Sequence, residues 1–138
     1  MKSVRTTQLS MQVNDRGPKT GPALLLLHGW PDDASTWDAI APRLNEAGFR
    51  TIAPMHRGFA GARFLSTRTP RTGNTGVLAQ DAIELMDALS IERFSIAGHD
   101  WGSNVAETMA VSWPKRVWQS RCCRLHMIDR HERRAAAA

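Results

Sequence analysis

Residues 96–104 read IAGHDWGSN, and this stretch decides the fold. The apolar run Phe94–Ala97 leads into Gly98 and Gly102, which bracket Asp100, and a helical run with Val105, Met109 and Ala110 on one side follows. G-x-D-x-G between a strand and a helix is a sharp turn that lifts its central side chain off a sheet. The flanking glycines let helix and strand approach closely, and aspartate tolerates the strained central backbone better than most residues. The free N–H groups of the helix N-terminus favour a carboxylate anion there.

Working outward, residues 23–27, ALLLL, form a continuous apolar run of strand length, which suits a strand buried on both faces. HGWP, residues 28–31, follows it directly. From Ser35 the positions Trp37, Ile40, Ala41 and Leu44 recur at helical spacing, with Ser35 and Asp38 resembling a capping box and Gly48 a stop. RTIAP, residues 50–54, reads as the next strand, and a Gly-, Thr- and Arg-rich loop leads to a helix from Val77 with Leu78, Ala82, Leu85 and Leu89 on one face. The helix after Asp100 ends at Trp113–Pro114. Residues 6–15 alternate loosely, as an edge strand or hairpin arm does. Strands alternating with helices predict an α/β fold with a mostly parallel sheet and right-handed crossovers. Chemistry then belongs at the C-terminal strand ends, where HGWP and GHDWG stand.

The 138 residues are one domain's worth of chain, and 42% hydrophobic with 22% charged residues is ordinary for a globular protein. No apolar stretch approaches the ~18 residues of a membrane helix, and the first residues lack a secretory apolar core, so the expectation is a cytoplasmic chain without a membrane partner. The formal net charge is +5, of which residues 118–138, with five arginines and two acids, hold more than half. Without a recognised module those arginines predict no nucleic-acid partner. Cys122 and Cys123 are adjacent, which predicts neither a disulfide framework nor a metal site.

A carboxylate nucleophile suits a particular chemistry. Attack on an acyl group would give an anhydride, whereas attack on an sp³ carbon bearing a leaving group gives an ester on the protein. Water then hydrolyses that ester, which needs a general base and an oxyanion hole. The backbone N–H after the nucleophile and one from the earlier strand's loop would form that hole, which points to Trp101 and Trp30. Around them, His28 reads as a structural residue holding its loop, and His99 as packing or hydrogen bonding at the elbow. Trp37 reads as helix core, Arg57–Gly58 as a turn anchor, and Arg63, Arg68 and Arg71 as a solvated loop.

HGWPDDASTWD and GHDWGSNVAETMA together resemble the oxyanion loop and elbow of the α/β-hydrolase superfamily, in its aspartate-nucleophile branch of epoxide hydrolases and haloalkane dehalogenases. The resemblance runs over roughly residues 6–117. It implies Asp100 as nucleophile, Trp30 and Trp101 as oxyanion donors, and His28, Gly29, Pro31, Gly98, His99 and Gly102 as supports. It implies no metal or organic cofactor, and a small electrophilic substrate hydrolysed at a C–O or C–halogen bond. The family also carries a helical cap, an acid and a late catalytic histidine, and this expectation leaves cap and C-terminal strands absent. The sequence has no tyrosine to activate an epoxide oxygen. His126, His131 and Asp129 stand outside the family's base-and-acid context. Residues 1–117 are thus expected as the N-terminal part of the hydrolase core. Residues 118–138 are expected as an atypical basic tail, in the manner of a shifted reading frame, with Leu125, Met127 and Ile128 as material for a short strand. The chain is expected to be inactive or limited to one alkylation. The alternative is a non-catalytic module that pairs with another subunit through an exposed sheet edge.

Overall fold

The computed structural model describes residues 1–123; His126, His131, Asp129 and the candidate strand at 125–128 lie outside them. The elements in chain order are β1 (Lys2–Arg5), β2 (Leu9–Arg16), β3 (Ala23–Leu27), a 3-10 turn (Ala34–Trp37), α1 (Ala41–Glu46), β4 (Arg50–Pro54), β5 (Ala62–Phe64), α2 (Thr75–Ala88), β6 (Phe94–His99), α3 (Trp101–Ser112) and β7 (Val117–Cys123). The strands form one sheet in the order β1-β2-β4-β3-β6-β7, with β5 on β2. From β4 through β3 and β6 to β7 the pairing is parallel, and β1, β2 and β5 add antiparallel ladders.

β3 is central because ALLLL is apolar on both faces. Leu25 and Leu27 face the larger core, with Ile52, Phe94, Ile96, Leu85, Val105 and Met109. Leu26 faces the opposite side, with Ala34, Trp37, Ala41 and Ala53. One face of the sheet thus carries α2 and α3 and the other the 3-10 turn and α1 (the two-sided cover a parallel sheet needs). Phe94 opens β6 at 1% exposure. Phe94→Ala is expected to destabilise the protein by about 3–5 kcal/mol, read as a lower midpoint in urea unfolding at unchanged slope.

Several local expectations are corrected by tertiary pairing. Residues 6–15 are a hairpin arm, yet β2 lies inside the sheet between β1 and β4. The helical run from Ser35 is split into the 3-10 turn and the short α1. Ser35 and Asp38 form no capping box; Asp33 is the cap and accepts the Ser35 N–H at 2.7 Å. The loop after β4 contains β5, held by Ser10 and its neighbours on β2. β7, which the sequence alone does not separate as a strand, runs alongside β6 with Gly98 opposite Cys122 and His99 opposite Cys123.

Candidate active site

Parallel register assembles the site. Leu27 pairs with Gly98, so the HGWP loop leaves β3 beside the elbow that leaves β6. Leu25 pairs with Ile52, which brings the end of β4 and residues 55–57 to the other side of HGWP.

The elbow is built by the absence of side chains. A Cβ on Gly98 would lie 2.3 Å from the Gly102 carbonyl oxygen, and one on Gly102 would lie 2.2 Å from that of Leu27. A Cβ on Gly29 would lie 2.6 Å from Asp100 Cβ and 2.8 Å from its Oδ2. These glycines let α3 cross β3 and β6 in contact with their backbones. Ser103, fully buried, donates from Oγ to the Gly98 carbonyl at 3.0 Å and closes the turn.

Asp100 sits at the tip with φ 52° and ψ −122°. That left-handed backbone costs a non-glycine residue on the order of 1–3 kcal/mol and persists where surrounding contacts impose it. The carboxylate makes no side-chain cap bond to its own helix. Its Oδ2 instead accepts the Trp30 N–H at 2.9 Å. The backbone N–H of Trp30, and then that of Trp101, hold its pKa below the usual carboxylate value. Asp100 is therefore an anion at neutral pH with one oxygen already held.

His28 and His56 are buried between the loops and exchange bonds. The His56 backbone N–H donates to His28 Nε2 at 3.2 Å, and His56 Nε2 donates to the His28 carbonyl at 3.1 Å. With His28 Nε2 an acceptor, Nδ1 carries the proton and donates to the Gly29 carbonyl at 3.0 Å. Burial lowers both pKa values, that of His56 to about 3. For His28, burial outweighs the bond to the Gly29 carbonyl and the nearby Asp33 and Asp32 carboxylates, which favour its charged form. His28 thus has one ring nitrogen bonded to its own loop and the other to the loop after β4. His56 was missed, because its partner is 28 residues away in sequence and only β3–β4 pairing makes them neighbours.

His99 points away from this cluster. Its ring stacks edge-on with Trp37 at 5.6 Å, and its Nε2 is 3.6 Å from Asp32. Trp37 is core, as expected. The Trp30–Pro31 peptide is cis. Arg57 anchors the loop after β4 through two 2.6 Å bonds to Asp81 on α2 and one to the Thr72 carbonyl. Phe64, within cation–π distance of Arg57, also carries Arg71 at 3.8 Å over its ring, so Arg71 is packed on its loop rather than freely solvated.

A cavity of about 380 Å³ is lined by Trp30, Trp101, Phe59 and Leu78 together with His28, His56 and Arg57. That volume admits a small ligand, and the wall is largely aromatic and aliphatic. Trp30 is 69% and Trp101 46% exposed at the rim of this cavity. Among the described residues no group of three or more His, Cys, Asp or Glu is placed to hold a metal, and no helix is long and apolar enough to cross a membrane.

A mixed sheet covered on both faces, with a strained acidic elbow at the end of β6 facing a glycine-bearing loop at the end of β3, defines a hydrolase-type α/β domain. The chain belongs to the alpha/beta hydrolase fold family, whose profile matches residues 22–118. It is similar to an epoxide hydrolase of Caballeronia sordidicola, 37% identical over 116 residues that cover 82% of this chain and 33% of that protein. It is also similar to a fluoroacetate dehalogenase of a Burkholderia species, 38% identical over 101 residues, covering 71% of this chain and 32% of that one. A crystal structure from Klebsiella pneumoniae subsp. pneumoniae, of a protein assigned as an epoxide hydrolase, superposes with a TM-score of 0.84 at 41% identity, over 86% of this chain and 39% of that one. The chain spans about a third of the length of the curated relatives it matches.

Proposed function

We propose that this chain carries the nucleophilic half of an aspartate-type hydrolase acting on small electrophiles, epoxides or alkyl halides. The observation that supports it most is the Trp30 N–H bonded to Asp100 Oδ2. In this reading Asp100 Oδ1 attacks the sp³ carbon, the C–halogen or C–O bond breaks with its electron pair leaving on the halide or oxygen, and Asp100 becomes an ester. Oδ2 is then the ester carbonyl oxygen, and the N–H groups of Trp30 and Trp101 face the charge that builds there when water attacks. A halide leaves as an anion without a proton. An epoxide oxygen must be protonated, and the sequence has no tyrosine for this. An alkyl halide is therefore the probe that asks least of the site.

Release of the ester is a separate step. Among the described residues, His28 has both ring nitrogens engaged within the loop pair, His56 is buried with its Nε2 on the His28 carbonyl, and His99 stacks on Trp37. None is offered as a base to water beside Asp100, so the reading predicts one alkylation per chain. Incubation with an activated alkyl bromide and intact mass should show a single stable adduct mapping to Asp100. Catalytic turnover would sink the single-alkylation reading, and no adduct on Asp100 would sink the nucleophile.

The pH dependence follows from the carboxylate. Its folded pKa is lowered, so the nucleophilic anion persists as pH falls through the ordinary carboxylate range. The alkylation rate should be level from pH 7 to 5 and reach half only below the unperturbed aspartate value of about 3.9. A half-rate pH above that value contradicts the two N–H contacts as the source of stabilisation.

A further inference from the structure

We infer that His56 and His28 are positioning residues that aim the Trp30 N–H at Asp100 through a continuous hydrogen-bond relay. The inference rests on the reading of Asp100 as nucleophile for its purpose, but not for its geometry.

The relay can be followed atom by atom. The His56 N–H donates to His28 Nε2, which leaves the proton of His28 on Nδ1. That Nδ1–H donates to the Gly29 carbonyl oxygen. The Gly29 C=O and the Trp30 N–H belong to one peptide group, and its planarity sends them in opposite directions. Holding the carbonyl on one side therefore aims the N–H on the other, at Asp100 Oδ2. The return bond from His56 Nε2 to the His28 carbonyl ties down the residue that carries the relay. Phe59 closes the remaining side, edge-on to His28 at 4.6 Å.

Two features mark this as more than packing. Both histidines are almost fully buried, at 0% and 4% exposure, and each uses its ring on the other's backbone. Gly29 has no side chain to restrain its peptide, because a Cβ there would strike Asp100. The orientation of this peptide must come from outside it, and His28 supplies the contact. Bonds in such a chain also polarise one another, which strengthens the last N–H as a donor. An apolar residue of similar size in place of His28 would fill the space and leave the peptide without its restraint, whereas one in place of His56 would keep the main-chain N–H on His28 Nε2 and lose the bond that ties down the His28 backbone.

The test uses the 138-residue chain and needs no reagent for its first arm. Long-range ¹H–¹⁵N spectra at pH 7 should show His28 protonated at Nδ1 alone and His56 at Nε2 alone. A His28 carrying its proton on Nε2 overturns the relay without any variant. In the second arm, His56→Ala should expose the Trp30 amide to about tenfold faster hydrogen exchange, the loss of roughly one hydrogen bond. It should also raise the Asp100 carboxyl titration toward the ordinary value. His56→Gln, whose amide can still donate to the His28 carbonyl, should restore both signals. His28→Leu should give the same losses without rescue. Unchanged Trp30 exchange and Asp100 titration in folded His56→Ala and His28→Leu proteins would refute the relay. Failure of the parent chain to be alkylated would refute the nucleophile instead, and would leave these spectra as the judge of the relay.

Discussion

Asp100→Asn is expected to form no ester adduct with an alkyl bromide under conditions expected to esterify the parent chain. The change replaces an anionic oxygen by a neutral amide and should slow adduct formation by at least about 10³-fold, as removal of an attacking group does elsewhere. The fold should survive, because the asparagine carbonyl can accept the Trp30 N–H as Oδ2 does. Asparagine is also among the few residues that tolerate the positive φ at this position. The thermal midpoint should therefore stay within about 3 °C of the parent. Cys122 and Cys123 are competing nucleophiles in the same chain, so total mass gain is insufficient as a readout. Hydroxylamine cleaves an ester and spares a thioether. The expected result is a hydroxylamine-labile adduct in the parent and none in Asp100→Asn. An equal labile adduct in both would remove Asp100 from its proposed role.

Gly102→Ala tests the elbow rather than the chemistry, and two effects oppose each other. Alanine in a helix is favoured over glycine by about 1 kcal/mol. Against this, the new Cβ would lie 2.2 Å from the Leu27 carbonyl oxygen and 2.8 Å from that of His28. Both obstacles are backbone atoms of a buried strand end, so neither can rotate away. Overpacking of this kind costs about 1–3 kcal/mol where side chains can yield, and here the upper end or beyond applies. The net expectation is a loss of at least about 2 kcal/mol, with the adduct yield falling too as α3 is pushed off β3. Gly73→Ala is the control, since nothing lies within 4 Å of its Cβ and its backbone is not left-handed. It should change stability by less than about 0.5 kcal/mol. A Gly102→Ala protein as stable as the Gly73→Ala control would mean that the crossing of α3 over β3 is looser than its geometry requires.

Much of this was legible in the chain because the relevant signals are local. ALLLL is apolar at every position, and only a strand covered on both faces hides such a run; β3 spans those same residues. The pattern around Asp100 combines glycine spacing with a change from strand to helix character, and β6, Asp100 and α3 follow it in order. RTIAP likewise ends at Pro54, as β4 does. Less was legible where a partner decides. β5 is three residues long and exists because β2 offers it an edge. The helical spacing from Ser35 is real, but Asp33 caps the first turn and Pro42 begins a second one, so the chain forms two pieces. Basic and polar residues after Val117 disguised β7, which is defined by pairing with β6.

By itself, then, the sequence determined the layering of the domain, the elbow with Asp100 at its tip, and the loop that meets it. These follow from apolar periodicity and from glycines, which act over a few residues. Only the tertiary structure decided which oxygen of Asp100 is held and what holds the holder. The contact between Trp30 and Asp100 spans 70 residues and that between His28 and His56 spans 28. Parallel strand register closes both distances. No local propensity encodes it, because the register is chosen by the packing of the whole sheet.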